Sequence, residues 1–239
     1  MRLNQIKEII LDILFPPVCL NCEKTLADSE KDAGICAACL SKIIIHTTLF
    51  CPVCRARLPE NKKICHKGSA YLLGAAADYD GAVKNIIRHL KYKSWSRLKN
   101  PIGDILRIYL KNLKLNELKL KNYLVIPIPL HKNRERERGF NQAELIGKII
   151  ADCLNLPLEK NILTRTKETK SQADLKNWDQ RKNNLAGAFQ IGTGKNINKK
   201  NIILVDDVYT SGATINEAVK TLRLAGAKKI LVLVLAKTR

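Results

Sequence analysis

Residues 202–214 read Ile-Ile-Leu-Val-Asp-Asp-Val-Tyr-Thr-Ser-Gly-Ala-Thr, and no other stretch narrows the choice of fold as far. The unbroken apolar run predicts a strand over residues 201–205 that is buried on both faces, as in parallel sheets covered by helices. Asp206 and Asp207 close the run, a short hydroxylated loop follows, and the pattern over 214–225 predicts a helix. Strand, loop and helix in that order make half of a βαβ unit. The loop also has a chemistry. Backbone N–H groups of Thr210, Ser211, Gly212, Ala213 and Thr214, with the three hydroxyls, suit a phosphate at a helix N-terminus, where the dipole favours negative charge. Gly212 lets the backbone come close. Carboxylates at the C-terminal end of a strand stand where open α/β sheets take their ligands, and there they suit the vicinal hydroxyls of a ribose phosphate.

The same rhythm recurs nearby. Residues 123–128 and 230–235 predict strands, and 140–154 a helix opened by Asn141 as cap with Glu144 closing a capping box. Gly226 follows the helix of 214–225 as its C-terminal cap. Val83, Ile86, Ile87 and Leu90 have the spacing of an amphipathic helix starting near Gly81, and Asn100-Pro101 predicts the start of another. Gly192-Thr193-Gly194-Lys195 lacks the spacing of a phosphate loop and reads as a turn. The expectation is one α/β domain over residues 71–239.

Ahead of it, seven of the eight cysteines form Cys19-x-x-Cys22, Cys36-x-x-Cys39, Cys51-x-x-Cys54 and a lone Cys65. Glu8 and Asp12 interrupt the apolar face of residues 3–14 and Pro16-Pro17 stop it, so no secretory signal is expected. No apolar run nears the ~20 residues of a membrane span. The cysteines are therefore expected in a reducing cytoplasm, as metal ligands and not disulfides. Two residues between thiolates aim both at one tetrahedral ion, and the first two pairs complete a set of four with no open position, which predicts structural zinc. A redox reading would want a single pair beside a βαβ unit. A module of residues 16–70 is too small to hold itself together without such a staple. Cys51, Cys54 and Cys65 make an incomplete second set, because Gly68 stands where a fourth cysteine would. His66 adjoins Cys65, but neighbouring residues seldom both reach one ion, and the sequence leaves this second site open. Cys153, among Leu145, Ile149, Ile150 and Leu154, reads as core.

Charge adds a partner class. Forty-two Lys and Arg stand against 22 Asp and Glu, a formal +20, and the excess lies beyond residue 70. Such a field favours phosphates, nucleic acid or an acidic membrane surface, unless it reflects only a lysine-rich background. Lys84, Arg88, Lys91, Lys93, Arg97 and Lys99 occur with no acidic residue between 81 and 103, and Tyr92 and Trp95 lie among them. Cations interleaved with aromatics hold single-strand phosphates and stack bases; the alternative is a solvated helix face with one buried Trp. His131, Arg134, Arg136 and Arg138, after the strand of 123–128, fit either contact with a pyrophosphate or a surface helix laced with its own ion pairs.

Residues 202–214 closely resemble the phosphoribosyl pyrophosphate signature of type I phosphoribosyltransferases. Residues 127–142, the segment Leu90-Lys91-Tyr92-Lys93, residues 169–189 with Gln172, Arg181, Asn184, Ala188 and Phe189, and the CxxC series are similar to the ComF family of competence proteins. The resemblance covers nearly the whole chain. It implies a type I phosphoribosyltransferase-like parallel sheet flanked by helices and preceded by a double zinc-ribbon module. It implies phosphoribosyl pyrophosphate bound with Mg²⁺, Asp206 and Asp207 on the ribose hydroxyls and as the catalytic pair, residues 210–214 on the 5-phosphate, and His131 and Arg134 toward the diphosphate. It also implies cytoplasmic uptake of single-stranded DNA, extending to the inner face of the membrane, beside a ComFA-type helicase and DNA-processing proteins. A salvage phosphoribosyltransferase, whose acceptor nothing in the sequence identifies, and a ligand-sensing regulator, for which no helix-turn-helix is evident, are the alternatives; fold alone does not separate them.

Overall fold

The computed structural model describes residues 15–58, 65–66, 68–91, 95–113, 120, 122–168 and 185–238, and of residues 95–97 the backbone alone. The expected N-terminal apolar face, Tyr92, Lys93, the side chains of Trp95 and Arg97, and residues 169–184 lie outside the described part. Numbered along the chain, the strands are β1 (Leu49–Phe50), β2 (Arg57–Leu58), β3 (Leu72–Asp78), β4 (Tyr123–Pro127), β5 (Leu163–Arg165), β6 (Phe189–Ile191), β7 (Asn201–Tyr209) and β8 (Lys229–Lys237). The helices are α1 (Ala37–Ser41), α2 (Gly81–Leu90), α3 (Trp95–Asn112), α4 (Lys132–Arg138), α5 (Gln142–Leu154) and α6 (Ala213–Leu224).

Six strands form one sheet in the order β2-β1-β3-β8-β7-β4. β3, β8, β7 and β4 run parallel, and β5 pairs with β6 in a separate antiparallel ribbon. The apolar runs explain the layering. On β7, Ile203 and Val205 pack with Ile86, Ile87, Leu90, Ile102, Leu106, Ile146 and Ile150 of α2, α3 and α5. Ile202 and Leu204 face the other way, onto Ile215, Ala218, Val219 and Leu222 of α6. A strand covered on both faces has to be apolar throughout, which is why it reads as a run and not an alternation.

The fold differs from the sequence expectation in both strands and helices. β3, Leu-Leu-Gly-Ala-Ala-Ala-Asp, carries too little β-propensity to be read as a strand. Its small residues make room: a Cβ on Gly74 would come within 2.5 Å of Leu233 Cδ2 and 2.9 Å of the Tyr109 hydroxyl. α3 begins at Trp95 and carries Pro101 inside it, so Asn100-Pro101 opens no helix. Burial of Leu98, Ile102, Ile105, Leu106 and Tyr109 along one stripe offsets the proline's cost of about 3 kcal/mol. Asn141 does cap α5, accepting from the Ala143 N–H at 3.0 Å, but Glu144 turns away to Lys160 at 2.8 Å, so the capping box is not formed.

The cysteine-rich part is continuous with this sheet. β1 pairs antiparallel with both β2 and β3, and the His46 N–H donates to the Ala76 carbonyl at 2.8 Å. Among the described residues no helix is long and apolar enough to cross a membrane.

Candidate functional site

β7 runs four residues beyond its expected end at residue 205, so Asp206 and Asp207 lie inside the strand, near its C-terminal end. They line a cleft of about 300 Å³ whose walls include Lys91, Arg134, Arg138, Gln142, Arg165, Thr210 and Thr214. The Lys91 Nζ stands 3.8 Å from Asp207 Oδ2, and Arg138 donates to Gln142 Oε1 at 3.1 Å. Burial and, after it, the adjacent Asp207 carboxylate push Asp206 up to about 8, against the opposing pull of Lys91 and Arg165. Burial likewise lowers Arg165, helped by the nearby Arg134 and Arg138 cations. The cleft thus gathers an acidic pair on the sheet edge and several cations opposite it, where a polyanion carrying hydroxyls matches both.

The loop beyond β7 turns sharply at Gly212, the N-terminal cap of α6, whose φ of 78° favours glycine. A Cβ there would also meet the Tyr209 hydroxyl at 2.5 Å. Ser211 Oγ accepts from the Ala213 N–H at 3.4 Å, and Thr210 and Thr214 face the cleft. His131 does something else: its ring accepts from the Asn133 N–H at 3.4 Å, capping α4, and it does not line the cleft. Arg134 and Arg138 sit on that short helix and line the cleft from it.

The cysteines converge as two clusters: Cys19, Cys22, Cys36 and Cys39, and Cys51, Cys54, Cys65 and His66. Each begins with the same turn. The Cys19 N–H donates to the Lys24 carbonyl and Glu23 N–H to the Cys19 carbonyl; the Cys51 N–H donates to the Ala56 carbonyl and Arg55 N–H to the Cys51 carbonyl. Glu23 and Arg55 both have φ of 60°. Sulfurs ~2.3 Å from a tetrahedral zinc lie about 3.8 Å apart. Cys22 and Cys36 Sγ are separated by 3.7 Å and Cys54 and Cys65 Sγ by 3.3 Å, so both sets fit the ion. Burial opposes a charge on Cys19, yet amide N–H groups of Cys36, Cys22 and Asn21 bring its thiol down to about 6. The second cluster overturns the expectation about neighbours. His66 Nδ1 lies 3.4 Å from Cys51 Sγ and 3.2 Å from Cys65 Sγ, because an exposed bend lets adjacent side chains point to one place.

A family model described as a double zinc ribbon domain matches residues 10–70. Over 92% of its length the chain is 29% identical to Competence protein F of Haemophilus influenzae, covering 96% of that protein. Over 93% it is 28% identical to the DNA utilization protein YhgH of Escherichia coli, covering 98% of it. Over most of its length the chain is thus similar to competence and DNA utilization proteins, with a double zinc ribbon at its N-terminal end. An adenine phosphoribosyltransferase of Leishmania donovani overlaps 72% of this chain and 86% of its own, at 12% identity and a TM-score of 0.38.

The expected nucleic-acid residues divide. Lys84, Arg88 and Lys99 are exposed, whereas Lys91 turns into the cleft toward Asp207. Arg165 and Gln142 are cleft residues the sequence did not single out. Arg165 belongs to a three-residue strand and rests on Phe189, 5.7 Å from the ring centre, a partnership between β5 and β6 that no local pattern announces. Gln142 stands beside Asn141 in the segment that carried the family resemblance, and it is only 2% exposed.

Proposed function

We propose that the chain binds phosphoribosyl pyrophosphate with Mg²⁺ in the cleft at the end of β7 and serves the handling of single-stranded DNA. The observation that carries the ligand is the acidic pair of Asp206 and Asp207 set against Lys91, Arg134, Arg138 and Arg165 in one cleft, with Thr210 and Thr214 at the mouth of α6. On this reading residues 16–70 form a zinc module that stabilises the fold, and residues 71–239 carry the ligand. The two carboxylates hold the ribose hydroxyls, the 210–214 loop holds the 5-phosphate, and Arg134 and Arg138 stand toward the diphosphate. Mg²⁺, which takes most of its ligands from substrate phosphates and water, would come with the diphosphate and neutralise part of its charge. Arg165, pressed into a partly apolar wall, adds fixed charge that costs no reorganisation when an anion arrives.

The DNA role is supported by the names of the two relatives, one a competence protein and one a DNA utilization protein, and by the exposed cations of α2 and α3. A ComFA-type helicase and DNA-processing proteins are the protein partners to test beside it. Calorimetry with phosphoribosyl pyrophosphate and Mg²⁺ decides the ligand. Wild-type protein should bind, and Asp206→Asn with Asp207→Asn should abolish binding while still unfolding in one cooperative transition no less stable than the wild type's. Absence of binding by the wild type would sink the reading. Pyrophosphate release on adding a nucleobase, without DNA, would favour salvage chemistry instead.

A further inference from the structure

The two zinc knuckles share one backbone turn but end it with different side chains, and the difference points at the ligand loop. Glu23, closing the first turn, is exposed. Arg55, closing the second, reaches across to the end of β7, donating to the Thr210 carbonyl at 2.7 Å. It also donates to Thr238 Oγ1 at 3.5 Å, and its guanidinium lies 5.7 Å from the centre of the Tyr209 ring. The Tyr209 hydroxyl in turn donates to the carbonyl of Pro52, inside the second Cys-x-x-Cys, at 3.0 Å. Gly212 rests directly against that hydroxyl. Tyr71, just beyond the cysteine-rich part, donates to Asn216 Oδ1 in the first turn of α6 at 2.7 Å. The loop is therefore held at three points: Thr210 by Arg55, Gly212 against a Tyr209 hydroxyl anchored on Pro52, and Asn216, just past the loop, by Tyr71.

We propose that Arg55 is a positioning residue, through which the second zinc knuckle fixes the 210–214 loop in its phosphate-receiving shape. The proposal rests on the assignment of the 5-phosphate to this loop. A loop of small residues has many conformations to lose on binding, and a brace that removes them beforehand raises affinity without touching the ligand. The first knuckle has no such reach. Its Asn21 is bound instead by Asn85 of α2 at 3.1 Å, far along the chain from the loop.

The test uses the full zinc-loaded chain and reads the loop apart from the ligand, by hydrogen exchange of amides 210–216, zinc content and calorimetry with Mg²⁺ and phosphoribosyl pyrophosphate. Arg55→Ala should keep its zinc, speed exchange at 210–216 by about tenfold or more, and weaken ligand binding by about tenfold to a hundredfold, the worth of a charge-assisted hydrogen bond. Arg55→Lys should restore part of both, because an ammonium can reach the carbonyl but cannot lie flat on Tyr209. If Arg55→Ala loses zinc or fails to fold, Tyr209→Phe decides, since it removes only the hydroxyl held by Pro52 and should move both readouts in the same direction. Unchanged exchange, or faster exchange with unchanged affinity, overturns the positioning role. Faster exchange in Arg55→Ala beside a wild type that binds no ligand upholds the brace and overturns the ligand assignment alone.

Discussion

Asp206 is an acid that folding discourages from ionising. Its carboxyl is buried at the end of a strand and stands next to a second carboxylate, and both effects hold its proton up to about 8, from an ordinary 3.8. The sign of the consequence is fixed. The native state keeps a proton that the unfolded chain gives up above pH about 4, so Asp206's contribution to stability is full below that and is lost as pH rises through about 8. Asp206→Asn should match the wild type near pH 4 and exceed it by a margin that grows as pH rises toward 8, in urea unfolding without ligand. A wild type whose stability is flat across that window would refute the assignment. The pair itself was legible in the sequence, because consecutive acids at the end of an apolar run have few structural uses. Their counter-charges were not. Lys91 looked like one more cation of a basic stretch, and only the packing of α2 against the sheet brings it within 3.8 Å of Asp207.

At the scale of elements, the two zinc knuckles behave as a repeat whose backbone is more regular than its sequence. The first set of ligands was plain from spacing alone, four cysteines in two pairs. The second was obscured because Gly68 replaces the expected cysteine and the ligand that takes over, His66, is adjacent to another. Adjacent ligands are awkward on a regular strand, where they point to opposite faces, but not in a bend. Cys54→Ser or His66→Ala should therefore lower bound zinc from about two to about one per chain, and Cys19→Ser with Cys36→Ser should remove the other, as read by metal analysis after dialysis. Four thiolates or three with an imidazole leave no position for water, so zinc bound in either cluster would be structural. Retention of two zincs after His66→Ala would take that histidine out of the ligand set. β3 was hidden for a related reason: its alanines and glycine are chosen for close approach to α3 and β8, and a strand defined by what packs against it carries no propensity of its own to read.

Across the whole molecule the charge excess has to be divided before it explains anything. Some of it is committed to the cleft, in Lys91, Arg134, Arg138 and Arg165. Some is free to meet a second polyanion: Lys84 and Arg88 lie one turn apart on α2, and Lys99 is exposed on the helix packed beside it. Contacts with single-strand phosphates release counterions, so log affinity falls with log salt by about 0.7 for each phosphate met. Three such cations account for a slope of about −2, and replacing Lys84, Arg88 and Lys99 together by Ala should flatten the measured slope by that amount. Lys91→Ala should leave the slope alone and weaken phosphoribosyl pyrophosphate instead, because that lysine faces Asp207. The two variants separate two uses of the same sign of charge. A salt slope untouched by the triple variant, together with displacement of DNA by phosphoribosyl pyrophosphate, would move the strand to α4, where Arg134 and Arg138 border the cleft, and would make the two polyanions competitors for one site.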